Sequence, residues 1–95
     1  MMKRVHVKIF GDVIGVGFRS AIYYNAKRRK LKGWVRNNRD DKTVEAVFEG
    51  EEKNVDDMVE FCKQGPPGSY VEKMEMKEET FTGMYKGFEV AKDLE

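Results

Sequence analysis

Residues 11–17, Gly-Asp-Val-Ile-Gly-Val-Gly, place three glycines within seven positions and lead straight into Phe18 and Arg19. Glycine lets a backbone take conformations, and allows approaches, that a side chain forbids. The free N–H groups of such a loop, with the positive end of a helix that follows, make a concave anion site. Arg19 falls in the first turn of that helix, where the helix dipole disfavours a cation unless an anion sits beside it. Its planar guanidinium suits two-point contact with phosphate oxygens. The plainer reading of the same loop is a turn packed closely on a sheet.

The elements that must hold this loop follow from the hydrophobic pattern. Val5, Val7 and Ile9 alternate with His6, Lys8 and Phe10, the period of a strand with one face on a core. Phe18, Ile22 and Ala26 then share one face of a helix that ends in Lys27, Arg28, Arg29 and Lys30, cations suited to the negative end of its dipole. Residues 33–37, Gly-Trp-Val-Arg-Asn, read as a second strand, and residues 43–49, with Val44, Ala46 and Phe48 on one face, as a third. The polar run 38–42 joins them as a hairpin. Asn54 with Asp57 reads as a capping variant for a second helix, in which Val55, Met58, Val59 and Cys62 fall at helical spacing. The Gly65-Pro66-Pro67-Gly68 stretch stops it, residues 70–76 form a fourth strand, and residues 81–90 add a short fifth.

The order β-α-β-β-α-β predicts an α+β fold, the ferredoxin-like split β-α-β two-layer sandwich. A right-handed crossover makes the first two strands parallel, with the third antiparallel between them. Their carboxyl ends then lie two strand spacings, about 10 Å, apart. The glycine-rich loop and Asn37 therefore face one small ligand.

Composition narrows the partners. A chain of 95 residues with 40% hydrophobic content predicts a single domain over residues 1–95. Eighteen Lys and Arg against 17 Asp and Glu leave a formal charge of +1, so no overall field gathers nucleic acid or an anionic membrane. The lone Cys62 makes no internal disulfide, and no His, Cys or carboxylate spacing calls for a metal or other cofactor. No apolar run nears the ~20 residues that span a bilayer, and Met1-Met2-Lys3-Arg4 lacks a signal-peptide core. The expectation is a cytoplasmic monomer.

Other residues read as structural. His6 is a half-exposed strand residue, Cys62 a small core residue, and Tyr23, Tyr24 and Trp34 core or core edge. Met58, Met74 and Met76 fill gaps, and Glu49, Glu51 and Glu52 form a solvated turn.

The run from Gly11 to Arg19 resembles the acylphosphatase signature G-x-V-x-G-V-x-F-R, and Gly33-Trp34-Val35-Arg36-Asn37 resembles the second signature of that family, G-W-V-[KR]-N. The resemblance continues through Val44, Gly50, the Gly65-Pro66-Pro67-Gly68 turn and the closing Gly87-Phe88-Glu89-Val90, nearly the whole chain. It implies hydrolysis of acyl phosphates to a carboxylate and inorganic phosphate, without metal or cofactor. Arg19 and Asn37 would be the catalytic pair. The backbone amides of Ile14, Gly15, Val16, Gly17, Phe18 and Arg19 would cradle the phosphate, and Asn37 would orient the attacking water. Inorganic phosphate, the product, would inhibit. Three positions depart from the family pattern: Ile14 replaces the usual Gln, Lys30 the glycine that often ends the first helix, and the hairpin 38–42 lacks its usual glycine and is one residue longer.

Three rival readings share these elements. RNA-recognition domains have the same strand and helix order, but the near-neutral charge and the polar Arg36 and Asn37 after Trp34 argue against one. An acylphosphatase-like domain of a hydrogenase-maturation protein would act on carbamoyl phosphate, and the chain's length and lack of zinc-ligand clusters favour the free-standing enzyme. A binding relic with little turnover is the third.

Overall fold

The computed structural model describes residues 1–94. Its elements are β1 (Met2–Asp12), α1 (Phe18–Arg28), β2 (Lys32–Asn38), β3 (Thr43–Glu51), α2 (Glu52–Gln64), β4 (Tyr70–Glu79) and β5 (Phe88–Val90). The strands form one sheet in the order β4-β1-β3-β2-β5. Every contact is antiparallel except that of β2 with β5. The split β-α-β sandwich expected from the sequence is therefore the fold observed, with β3 between the parallel β1 and β2.

One sheet face carries the core. Val5, Val7, Ile9, Val35, Val44, Ala46 and Phe48 are fully buried, as the alternation requires. Onto them α1 lays Phe18, Ile22 and Ala26, and α2 lays Val55, Met58, Val59 and Cys62. Phe48 and Phe88 stack at 5.7 Å, which ties β5 to the core. Burial pushes the Cys62 thiol up, so it stays neutral in its helix face.

Several boundaries differ from the expectation. β1 runs on through Gly11 and Asp12, which pair with Val71 and Tyr70 after a register shift, so the loop proper is residues 13–17. β3 passes directly into α2, whose N-cap is Glu51; Asn54 lies inside the helix and caps nothing. β5 is only three residues long. Residues 80–87 instead cross the sheet's other face, where Tyr85 lies against the Arg4 guanidinium at 5.5 Å.

That crossing overturns one reading outright. Glu49 is not a solvated turn residue but is 2% exposed. It accepts hydrogen bonds from the Thr82 N–H at 3.0 Å, the Thr82 hydroxyl at 2.8 Å, the Gly83 N–H at 3.1 Å and Arg4 at 3.1 Å. Only Glu51 and Glu52 face solvent. Tyr24 and Met76 are likewise exposed rather than packed. Tyr24 points away from the helix face that Phe18, Ile22 and Ala26 bury, and Met76, which pairs with Val7 on the core side of the sheet, stands on the outermost strand β4. Trp34 sits on the outer face, where the Arg36 guanidinium covers its ring at 4.9 Å and His6 meets it edge-on.

Candidate active site

The loop of residues 13–17 is staked at both ends. Val13 and Phe18 are each 1% exposed, so the chain between them must leave the core and return within four residues. Gly15 at φ 77° and Gly17 at φ 79° take left-handed conformations that side chains adopt only at a cost, and they turn the loop. Ile14 and Val16 pack their side chains partly on the core. Among the described residues, no N–H group from Val13 to Phe18 donates to the protein. α1 also starts without a side-chain cap or an acidic residue in its first turn. The donors that an N-cap would satisfy stay available to an anion.

A cavity of about 190 Å³ opens over these donors, lined by Val13, Ile14, Gly15, Gly17, Phe18, Arg19, Ser20, Asn37 and Arg39. The crossover topology thus brings the loop, Arg19 and Asn37 to one place. Val16 lines a neighbouring hollow instead, with Gly11, Lys42 and Gly68.

Asn37 and Asn38 are adjacent, both buried, and opposite in state. Asn38 donates to Thr43 at 3.1 Å and to Glu45 at 2.8 Å and accepts from Arg36 at 3.0 Å, so its amide is spent on the sheet. The Asn37 amide, only 7% exposed, makes no hydrogen bond to the described residues yet keeps its polar atoms open to the cavity. A strand alternates its side chains, so two neighbouring asparagines serve opposite faces.

Sequence reasoning missed two members of the site. Beyond β5 the chain continues alongside β2: Ala91 N–H donates to Val35 at 2.8 Å, Leu94 N–H to Asn37 at 2.9 Å, and Arg39 N–H to Leu94 at 2.7 Å. This places Asp93 between two arginines. Arg19 Nη1 donates to Asp93 Oδ1, and Arg39 Nε to Oδ2 at 2.9 Å. Desolvation opposes the charged form of Asp93, but the Arg39 hydrogen bond and the charges of Arg19 and Arg39 outweigh it, holding the carboxyl below its usual range. Two cations and one carboxylate leave one net positive charge beside the cavity. The sequence offered one hint, that Arg19 at a helix start needs an anion, but not which one.

The hairpin between β2 and β3 is residues 39–42. Lys42 takes the left-handed conformation, φ 58°, that a glycine would take without strain. Asp41 fixes the turn, accepting from Thr43 Oγ1 at 2.6 Å and pairing with Lys8 at 2.7 Å. Among the described residues, no group of three His, Cys, Asp or Glu side chains is placed to hold a metal.

Comparison with known proteins bears on this geometry. The family model described as acylphosphatase matches residues 5–90. An acylphosphatase of Pyrobaculum aerophilum is 46% identical over 89 residues, 94% of each chain. The crystal structure of acylphosphatase from Bacillus subtilis superposes with a TM-score of 0.88 at 35% identity, covering 96% of this chain and 99% of that one. Full-length HypF in its phosphate- and nucleotide-bound form matches with a TM-score of 0.85 at 31% identity, over 98% of this chain but 12% of that one.

Proposed function

Because the chain belongs to the acylphosphatase family, and so is an enzyme whose substrates are acyl phosphates, we propose that residues 1–95 form one catalytic unit in which Arg19 and Asn37 divide the reaction. The observation that carries this reading is the unspent Asn37 amide, facing the same cavity as the free loop amides and Arg19. The amides of residues 14–19 take the phosphate oxygens. Arg19 adds charge through its Nε and Nη2 groups while Nη1 stays with Asp93.

The chemistry asks for little else. Water attacks phosphorus in line, a P–O bond forms, and the bond to the acyl oxygen breaks with its electron pair leaving on the carboxylate. The conjugate acid of that carboxylate has a pKa of about 4, like an aspartate side chain, so the leaving group departs without a general acid. Positioning and charge stabilisation then supply the rate. Asn37 cannot act as a strong base, but its carbonyl oxygen accepts a hydrogen bond from the water and so aims it. The water's proton passes to a phosphate oxygen. Ile14 leaves this scheme intact, since the cradle uses its backbone and its side chain stiffens the loop against the core.

Phosphate release from benzoyl phosphate, compared with a phosphate monoester, tests the reading. The acyl phosphate should turn over and the monoester should not, with activity persisting in excess EDTA and inorganic phosphate inhibiting competitively. Loss of activity on chelation, restored by zinc or magnesium, would refute the metal-free mechanism.

A further inference from the structure

Arg39 brings a second guanidinium to the same cavity as Arg19. The two share one carboxylate, Arg19 on Oδ1 and Arg39 on Oδ2 of Asp93, which keeps them within roughly 10 Å of each other. Asp93 can neutralise only one of them. Arg39 uses Nε for that contact, and among the described residues its Nη1 and Nη2 groups donate to nothing. Its side chain is 54% exposed, and an ion pair so exposed adds little to stability, so folding alone gives this cation no role.

With phosphate held by the loop and Arg19, Arg39 is the cation lining the cavity that is left for the group the phosphate is attached to. We propose that Arg39 is a specificity-determining residue that favours acyl phosphates whose acyl group carries a second anionic group, such as a carboxylate a few bonds from the carbonyl. The inference rests on the acylphosphatase reading of the site. A neutral acyl group gains nothing from Arg39. An anionic one exchanges water for a charge-assisted hydrogen bond at a half-screened position.

The test compares kcat/KM for succinyl phosphate and acetyl phosphate in the wild-type protein and in Arg39→Gln, at low and high salt. The succinyl-to-acetyl ratio should fall about 5- to 10-fold in the variant, the size of one half-exposed charge contact. The wild-type ratio should also fall as salt rises, while that of the variant stays flat. An unchanged ratio overturns the inference. So does an equal loss on both substrates, which would mean that Arg39 acts through Asp93 on Arg19. A wild-type protein that hydrolyses neither substrate overturns the acylphosphatase reading and the inference with it.

Discussion

The two ends of β3 use the same ingredients to different ends. At the Glu49 end, the N–H groups of Thr82 and Gly83 and the Thr82 hydroxyl close on a buried carboxylate, with Arg4 beside it. At the Thr43 end, about 20 Å away by strand rise, the free amides of the glycine loop surround an open cavity, with Arg19 and Arg39 beside it. Each is a ring of donors with a cation at its edge. The first holds its own anion and so contributes to stability. On the function proposed above, the second leaves its donors to water until a phosphate arrives, which gives up stability for binding capacity.

The hardest strike on this contrast is at the open end. Asn37→Ala should lower kcat by on the order of 100-fold or more while leaving phosphate affinity near wild type, since the cradle and Arg19 remain. Arg19→Ala should lower both, because its cation contacts the ground state and the more charged transition state. Steady-state rates beside calorimetric titration of phosphate separate the two. An Asn37 variant that loses phosphate binding as severely as the Arg19 variant would sink the division of roles.

The filled end should respond in stability instead. Glu49→Ala strips four hydrogen bonds from a buried carboxylate site and should cost about 2–3 kcal/mol in urea denaturation. KM should change little. If it rises sharply, the two ends are coupled and the contrast fails.

Acid should distinguish the ends further. Desolvation of Glu49 opposes its charge, but the donors from Thr82, Arg4 and Gly83 outweigh it, so its folded pKa lies below the usual carboxylate range. A depressed carboxyl gives its full stabilisation above the unfolded pKa and loses it as pH falls through the folded one. Wild-type stability should therefore decline below about pH 4.5, with a shallower slope in Glu49→Gln. Equal slopes would mean that Glu49 contributes nothing to the acid limb.

The smallest effects concern strain. Lys30 and Lys42 both sit at φ 58°, and Lys30→Gly or Lys42→Gly should each raise stability by about 0.5–1 kcal/mol. Thermal melts of the two variants measure this directly. A loss at either position would show that its lysine side chain outweighs the strain.

What could be read from the sequence was local. The alternation in Val5, Val7 and Ile9 and the spacing of Phe18, Ile22 and Ala26 named the sheet and helix faces, and topology then brought the glycine loop to Asn37. Partners distant in the chain were invisible. Glu49 meets Thr82 and Gly83 more than 30 positions away, and Asp93 meets Arg19 at a separation of 74, through a tail with no periodicity of its own. Glu49 misled for a definite reason: it alternates correctly onto the outer face, but residues 80–87 cover that face. Asn54 misled because β3 continues into α2 with no intervening loop, which leaves no room for a cap at its position.

β4 is the sheet's outermost strand on one side, ten residues long, with β1 as its only neighbour among the described residues. A free strand edge of that length is a template on which a second chain could zip, the first step toward fibrous aggregation. Glu72, Lys73, Glu75, Lys77, Glu78 and Glu79 stud this one. A second copy docking in the antiparallel sense would have to strip water from this dense row of charges and match its signs in a single register. This row of charges keeps the margin of the sheet wet and opposes the pairing of two copies along it.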